Sequence, residues 1–457
     1  MKIIGIMTGN SLDGVDVVLT GFDENGIRDL ASFSKPYSWE MTRKMLKLRE
    51  MARAVRVSMD ELSGNAFFAA AVDEYTRFVA SAVNEMLARS GFSRQDVAAI
   101  GFHGQTCDHC PPSIAGKEKA YTLQVGNARL LADLTGIPVI CDFRSDDVMN
   151  GGEGAPLAPV HNLHISKDLK TKGIFPVAFC NAGNTGNIAI ITEDENGREI
   201  VAGWDAGPFN HYPDYLARLH KNCNCDLDGS FGKKGKVIPE LLDELFNHAA
   251  ADDKGNNFFL LPPPKSSDPS WYCIPDCLNC RGYSFEDTIR TAEYLSVYVL
   301  THTLSFVPEE YAMPASFLVF GGGWKNPLAM EDFNSLLRGN AFELPRHKEL
   351  FAKIRRRMKT APNIGWSDIC GYSGKYMEAR IFADMARCRI IGEPFTFPAG
   401  SGCRTPTVAG IYFLPKGEKE GEFMRLLRRY KTENLNMDGN LPAYWSRAAK
   451  GWQKKRR

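Results

Sequence analysis

Lys2-Ile-Ile-Gly-Ile-Met-Thr-Gly-Asn-Ser-Leu-Asp-Gly-Val-Asp-Val-Val-Leu19 is the stretch from which this chain is best read. Two apolar, β-branched runs, Ile3 to Met7 and Val15 to Leu19, flank a turn of Thr8, Gly9, Asn10, Ser11, Asp13 and Gly14, a pattern that predicts a hairpin. The turn has the composition of a phosphate cradle. Glycines let the backbone approach a ligand with its N–H groups, hydroxyl and amide side chains donate hydrogen bonds, and an aspartate can hold a hydrated Mg²⁺. Polar turns without a ligand use the same residues.

With 457 residues the chain is long enough for two or three domains. A hydrophobic content of 44% and a charged content of 24% are those of an ordinary soluble protein. The 55 basic and 54 acidic side chains leave a net charge of +1, which implies no bulk attraction to nucleic acid or membrane. The longest apolar runs, such as Phe67 to Val72 and Leu295 to Leu300, fall far short of the roughly 20 residues of a membrane span. The start does not resemble a signal peptide, so a cytoplasmic location is expected.

Twelve cysteines spread over such a chain are expected to be reduced. Cys223, Cys225, Cys273, Cys277 and Cys280 could supply four ligands to a structural zinc. Their spacing does not form two Cys-x-x-Cys knuckles, so unlinked thiols are the favoured reading.

Onward from the hairpin, strand-like and helix-like segments alternate. A helical pattern runs from about Met59 to Ser90 and closes at Gly91. A strand over Val97 to Phe102, a helix from about Asn127 to Gly136 and a strand over Pro138 to Asp142 follow. This alternation predicts an α/β sheet whose functional loops lie beyond its strand ends, where Gly101 to Thr106 and Asp142 to Pro156 are placed. The middle third repeats the opening. A strand over Phe175 to Phe179, a turn Asn181-Ala-Gly-Asn-Thr-Gly-Asn187 and a returning strand over Ile188 to Thr192 indicate a duplicated unit. A third glycine cluster, Gly321-Gly-Gly323, follows a buried-strand pattern, while the Walker A pattern is absent, which disfavours a P-loop fold.

The duplicated hairpin resembles the actin-like ATPase and sugar kinase superfamily, and its particular words resemble the anhydro-N-acetylmuramic acid kinase family. The words are Met7 to Asp16, His103-Gly-Gln-Thr106, Gln124-Val-Gly-Asn127, Asp142-Phe-Arg144, Gly151 to Leu157, Asn181 to Asn187, Asp205-Ala-Gly-Pro-Phe-Asn210, Pro263-Pro-Lys-Ser266, Gly321 to Gly323 and Glu378-Ala379. One such word is weak evidence; ten in the family's order, over about Met1 to Pro415, are specific.

The resemblance implies a two-domain, ribonuclease H-like α/β fold with its active site in an interdomain cleft. Residues 1–170 would form the N-terminal domain and 171–415 the C-terminal one, with a helix around Lys375 to Cys388 folding back onto the first. The implied activity uses ATP, Mg²⁺ and water to open the 1,6-anhydro bridge of anhydro-N-acetylmuramic acid and phosphorylate O6, a step of peptidoglycan recycling. Asp205 matches the family's catalytic aspartate, the base that activates water, and Glu378 a glutamate placed near that water. Phosphate contacts would come from Gly9, Asn10, Ser11, Leu12, Asp13, Gly14, Asn184 and Thr185, with Gly321, Gly322 and Gly323 bordering the nucleoside and Asp13 holding Mg²⁺ through water. His103, Gln105, Gln124 and Arg144 are the sugar-side candidates, with Arg144 suited to a lactyl carboxylate.

The chain also departs from the family. Asn10 replaces threonine, Asn184 and Thr185 replace a Gly-Ile pair, and Phe209 stands at a usual glycine. The alternatives are therefore a kinase for another anhydro-sugar such as levoglucosan, a hexose kinase without need of a water-activating base, or a nonenzymatic nucleotide-binding scaffold. The tail 416–457 lies outside the resemblance, and its apolar residues are expected to pack on the body or on a second subunit.

Overall fold

The computed structural model describes residues 1–9, 12–24, 26–55, 62, 64–116, 120–248, 256–263, 265, 278 and 282–417. Asn10, Ser11, Cys273, Cys277, Cys280 and the tail from residue 418 lie outside the described residues.

The opening stretch forms the expected hairpin. β1 (Lys2–Thr8) pairs antiparallel with β2 (Gly14–Asp23), Ile3 opposite Thr20 and Met7 opposite Asp16. β3 (Gly26–Pro36) continues the meander beyond β2, while β4 (Ala99–Cys110) lies parallel to β1 on its other side. β5 (Tyr121–Val125) pairs antiparallel with the outer part of β4. β6 (Val139–Cys141) is parallel to β4, and β12 (Ile411–Phe413) closes that edge antiparallel to β6.

A second sheet repeats the plan. β7 (Val177–Ala182), β8 (Thr185–Glu193) and β9 (Glu199–Pro208) form an antiparallel meander, and β10 (Ser316–Phe320) and β11 (Asn363–Trp366) add parallel strands beside β7. The orders β6-β4-β1-β2-β3 and β11-β10-β7-β8-β9 have one connectivity and one set of strand directions. The duplication expected from the two Gly/Asn-rich turns is thus a duplication of the whole sheet, which is the two-domain, ribonuclease H-like fold of the actin-like ATPases.

The chain packs as two units, Met1–His164 with the segment from Tyr376 onward, and Ile165–Lys375. The expected division at 170 and 415 is therefore shifted at both ends. It is not only the helix Met377–Ile391 that belongs with the first unit; the chain stays there through β12, because β12 supplies the edge hydrogen bonds of β6. The helix itself lies almost backbone to backbone on the first sheet. A Cβ at Gly5 of β1 would collide with the Ala379 carbonyl, and one at Gly101 of β4 with the Phe382 carbonyl, so these two glycines set how closely the helix approaches.

The helix expected from Met59 is described over Ala66–Ser90, where the Asn65 side chain accepts from the Phe68 nitrogen and Gly91 closes it in the left-handed conformation. Phe68, Val72, Tyr75, Val79 and Val83 fill the core of the first unit, while Phe67, which opens the apolar run to Val72, is exposed. A second correction concerns β4. Its polar stretch Gly101 to Thr106 is not a loop beyond the strand but part of it. The register against β1 shifts between Ile6 and Thr8, Gly104 takes a positive φ of 78°, and the strand runs on to pair with β5. Among the described residues, no helix is long and apolar enough to cross a membrane.

Candidate active site

In the first unit, β1 runs into the phosphate turn through Thr8, whose hydroxyl donates to the Gly104 carbonyl and lies 3.0 Å from the Tyr75 hydroxyl. Thr8 is buried and ties the turn to β4 and to the long helix. Past Gly9, Leu12 has a φ of 55° with its side chain in the core. A branched residue in the left-handed region is strained, and Leu12 is retained there by the side-chain burial and by the Thr42 hydroxyl, which donates to its carbonyl. Asp13 follows, exposed, before Gly14 opens β2.

The sugar-side candidates line up along β4 and β5 and at the helix Phe143–Met149. His103 and Gln105 sit on β4, and Gln124 on β5; all three are buried. The Gln105 amide donates to the Gly9 carbonyl at 3.3 Å, and the Gln124 amide to Thr122 at 2.8 Å. Their carbonyl oxygens, Gln105 Oε1 and Gln124 Oε1, have no partner among the described residues. Buried acceptors left open in this way suit hydroxyl or acetamido donors of a ligand.

Arg144 donates from Nε to His103 Nε2 at 3.0 Å and from Nη1 to the Gly154 carbonyl at 2.7 Å. Burial, with the Arg144 charge beside it, holds His103 well below its ordinary pKa, so the imidazole is neutral and accepts from the guanidinium. Burial also lowers Arg144 to about 10, opposed by Glu378 and Asp147. Asp147, fully buried, was not singled out in the sequence. It accepts from the Gly154 nitrogen at 2.7 Å and the Ser401 hydroxyl at 2.5 Å, which fixes the glycine loop that Arg144 reaches.

Glu378 lies in the first turn of the helix Met377–Ile391 and is exposed as a residue. Desolvation of its carboxyl by the protein packed around it raises its pKa; Arg144 opposes the rise, and Asp16 and Asp13 add to it. A carboxyl whose pKa is raised is the better proton acceptor.

In the second unit, Asp205 sits on β9, half-buried, and the word after it folds back onto the second turn. The Phe209 nitrogen donates to the Asn184 carbonyl at 2.9 Å, and Asn210 to the Gly183 carbonyl at 3.1 Å. Asn184 is exposed and does not adopt a positive φ, and Thr185 begins β8, so neither side chain at this turn is strained. Phe209 is buried against Trp324, ring centroids 5.2 Å apart. Gly323 packs on the same ring: a Cβ there would lie 2.5 Å from Asn210 Oδ1 and 2.6 Å from the Phe209 ring. Gly321, with φ 98°, leaves no room for a Cβ beside Asn181 and Ala182, whereas Gly322 is exposed and unobstructed. The second unit therefore brings the Asp205 word, the Asn184–Thr185 turn and the Gly321–Gly323 turn into one contact network.

Lys265 is the residue that sequence reading passed over, although it lies in a quoted word. Its carbonyl accepts from the Asp205 nitrogen at 3.1 Å, and its Nζ donates to the Phe258 carbonyl at 2.9 Å between the Phe258 and Phe306 rings. Burial lowers its pKa to about 7, with Asp205 pulling the other way. Of the cysteines once weighed as zinc ligands, Cys225 is exposed and the Cys223 thiol faces the Ala217 and Cys225 carbonyls.

Comparison with known proteins adds to this geometry. A family model described as anhydro-N-acetylmuramic acid kinase matches residues 1–415. The chain is 30% identical over 413 residues to the anhydro-N-acetylmuramic acid kinase of Rhizobium etli, covering 90% of this chain and 98% of that one. It is 32% identical over 411 residues to that of Gluconobacter oxydans (89% and 98%), and 29% over 416 residues to that of Brucella canis (91% and 99%). The chain belongs to the anhydro-N-acetylmuramic acid kinase family.

Proposed function

We propose that this protein uses ATP and water to open the 1,6-anhydro ring of anhydro-N-acetylmuramic acid and phosphorylate O6, giving N-acetylmuramic acid 6-phosphate and ADP. The observation that carries the reading is the family match over residues 1–415, the span that holds all ten words from the phosphate turn to Glu378.

In this reading Asp205 takes a proton from water as the water oxygen bonds to C1. The C1–O6 bond breaks, and O6 accepts the γ-phosphoryl group in line with the departing ADP oxygen. Glu378 orients the water. Arg144 pairs with the lactyl carboxylate, while Gln105 and Gln124 offer their open carbonyl oxygens to sugar donors. Gly9, Asn10, Ser11, Leu12, Asp13 and Gly14 contact phosphates in the first unit, Asn184 and Thr185 in the second, and Gly321 to Gly323 border the nucleoside. Asp13, exposed at the turn, has the oxygen donor that a hydrated Mg²⁺ takes, and that ion would neutralise charge on the transferred phosphate. A cytoplasmic location, where ATP is available, is part of the reading.

The test is ATP consumption against anhydro-N-acetylmuramic acid, levoglucosan and free hexoses, run in ¹⁸O-labelled water. Label at C1 and phosphate at O6 are expected with the first substrate. Turnover only with a free hexose, or label absent from C1, overturns the proposal.

A further inference from the structure

Away from these groups, the first unit holds a concentrated set of ionisable side chains that the kinase reading leaves unused. His161 and His164 lie one turn apart on the helix Ala158–Thr171, Asp384, Arg387 and Cys388 lie toward the end of the helix Met377–Ile391, and Glu393 follows its Gly392 cap. Asp384 Oδ2 accepts from Nδ1 of His161 at 2.8 Å and of His164 at 2.7 Å, and Asp384 Oδ1 accepts from Arg387 Nε at 2.9 Å. A carboxylate on Nδ1 that holds the ring and turns Nε2 outward is the arrangement found behind metal-binding histidines.

His164 Nε2 pairs with Glu393 Oε1 at 3.3 Å, a contact that a cation would replace, and Cys388 Sγ lies 3.8 Å from Glu393 Oε2. One donor atom from each of the three residues falls within 4.8 Å of the others. Bonds of about 2.0 to 2.3 Å to a tetrahedral zinc-class ion space the ligands roughly 3.3 to 3.8 Å apart, so little movement is needed to close on one.

We propose that His164 Nε2, Cys388 Sγ and Glu393 bind a divalent cation of the zinc class, with solvent in the fourth position. A thiolate and an imidazole beside one carboxylate favour such an ion over Mg²⁺ or Ca²⁺. The charges close: the Asp384 and Glu393 carboxylates and a Cys388 thiolate balance Arg387 and the cation. Arg387 reaches all three residues, and its Nη2 also lies 3.3 Å from His164 Nδ1, so an ion that takes these ligands loosens the guanidinium's contacts. The same Nη2 donates to Glu393 Oε2 at 2.9 Å and lies 3.4 Å from Cys388 Sγ, a positive charge that favours the ionised forms of both ligands. Cys388 is buried while Glu393 is partly exposed, which gives the ion an approach from solvent. Bound there, it would tie the middle of the helix Ala158–Thr171 to the end of the helix Met377–Ile391. The site does not depend on the kinase reading.

The experiment is Co²⁺ titration of the full-length, metal-stripped protein, followed by thiolate-to-cobalt charge-transfer absorption, with thermal unfolding measured with and without Zn²⁺. One equivalent is expected, with the absorption lost in Cys388→Ser and affinity lowered at least about tenfold in Glu393→Gln. The absorption should remain in a Cys277→Ser, Cys280→Ser double variant, and Zn²⁺ should raise the unfolding midpoint of the wild type but not of Cys388→Ser. Should Cys388→Ser fail to fold, Glu393→Gln, altered at a partly exposed position, decides the matter. No cobalt–thiolate absorption, or absorption unchanged in Glu393→Gln and lost in the Cys277, Cys280 variant, overturns the site.

Discussion

The main-chain nitrogen of Asp205 donates to the carbonyl of Lys265 at 3.1 Å, while the Lys265 ammonium turns away to the Phe258 carbonyl at 2.9 Å. One residue thus clamps the strand that bears the proposed base and buries a cationic amine within electrostatic reach of it. The clamp fixes the backbone beneath the carboxylate, and geometry of that kind is worth as much to a base as its pKa.

Asp205→Asn keeps the backbone clamp and removes the base. Turnover should fall at least about a hundredfold with ATP affinity nearly unchanged. Steady-state kinetics beside calorimetric ATP binding check this, and wild-type turnover in the variant would exclude Asp205 as base.

Lys265 makes stability depend on pH with a definite sign. Its amine titrates near 10.5 when unfolded and near 7 when folded. Below pH 7 both states carry the proton and the full burial penalty is present. From about 7 to 10.5 the unfolded state holds more protons, so stability rises with pH at a slope approaching about 1.4 kcal/mol per unit. Lys265→Met should flatten that rise in urea unfolding measured between pH 7 and 10. Parallel curves for the two proteins would show that the amine is not titrating as described.

Arg144 is the group expected to separate a lactyl-bearing sugar from one without the lactyl arm. Arg144→Met should raise KM for anhydro-N-acetylmuramic acid by at least about tenfold, the worth of a charge-assisted bond, and leave weak levoglucosan turnover little changed. An equal loss on both substrates would mean that the residue supports the fold through the Gly154 loop instead.

The two glycines of the nucleoside turn should respond differently to the same methyl. At Gly323 the added carbon meets Asn210 and the Phe209 ring, so Gly323→Ala should destabilise by about 1–3 kcal/mol and raise KM for ATP. At Gly322 nothing lies within 4 Å, and Gly322→Ala should leave stability within about 0.5 kcal/mol. Denaturation and ATP kinetics on the pair measure the contrast, which vanishes if Phe209 does not pack on the turn.

Much of this architecture was written locally in the chain. The hairpin from Lys2 to Leu19, its repeat around Asn181 to Asn187, and the helix caps at Gly91, Asn127 and Gly136 are short-range features, set by turn chemistry and by the period of apolar residues. The words that carry Asp205, Arg144 and Glu378 are equally local. What the tertiary structure alone decided are relations across long separations. The polar stretch of β4 reads as a loop until β5 offers it hydrogen bonds, and the chain past Tyr376 returns to the first unit because two glycines, at 5 and 101, admit a helix and an edge strand is needed at β6. Lys265 becomes an amine of lowered pKa, and His164, Cys388 and Glu393 become neighbours, only once packing removes water and brings segments together that are hundreds of residues apart. Burial and pairing of that kind are properties of the folded whole, and no local pattern of residues encodes them.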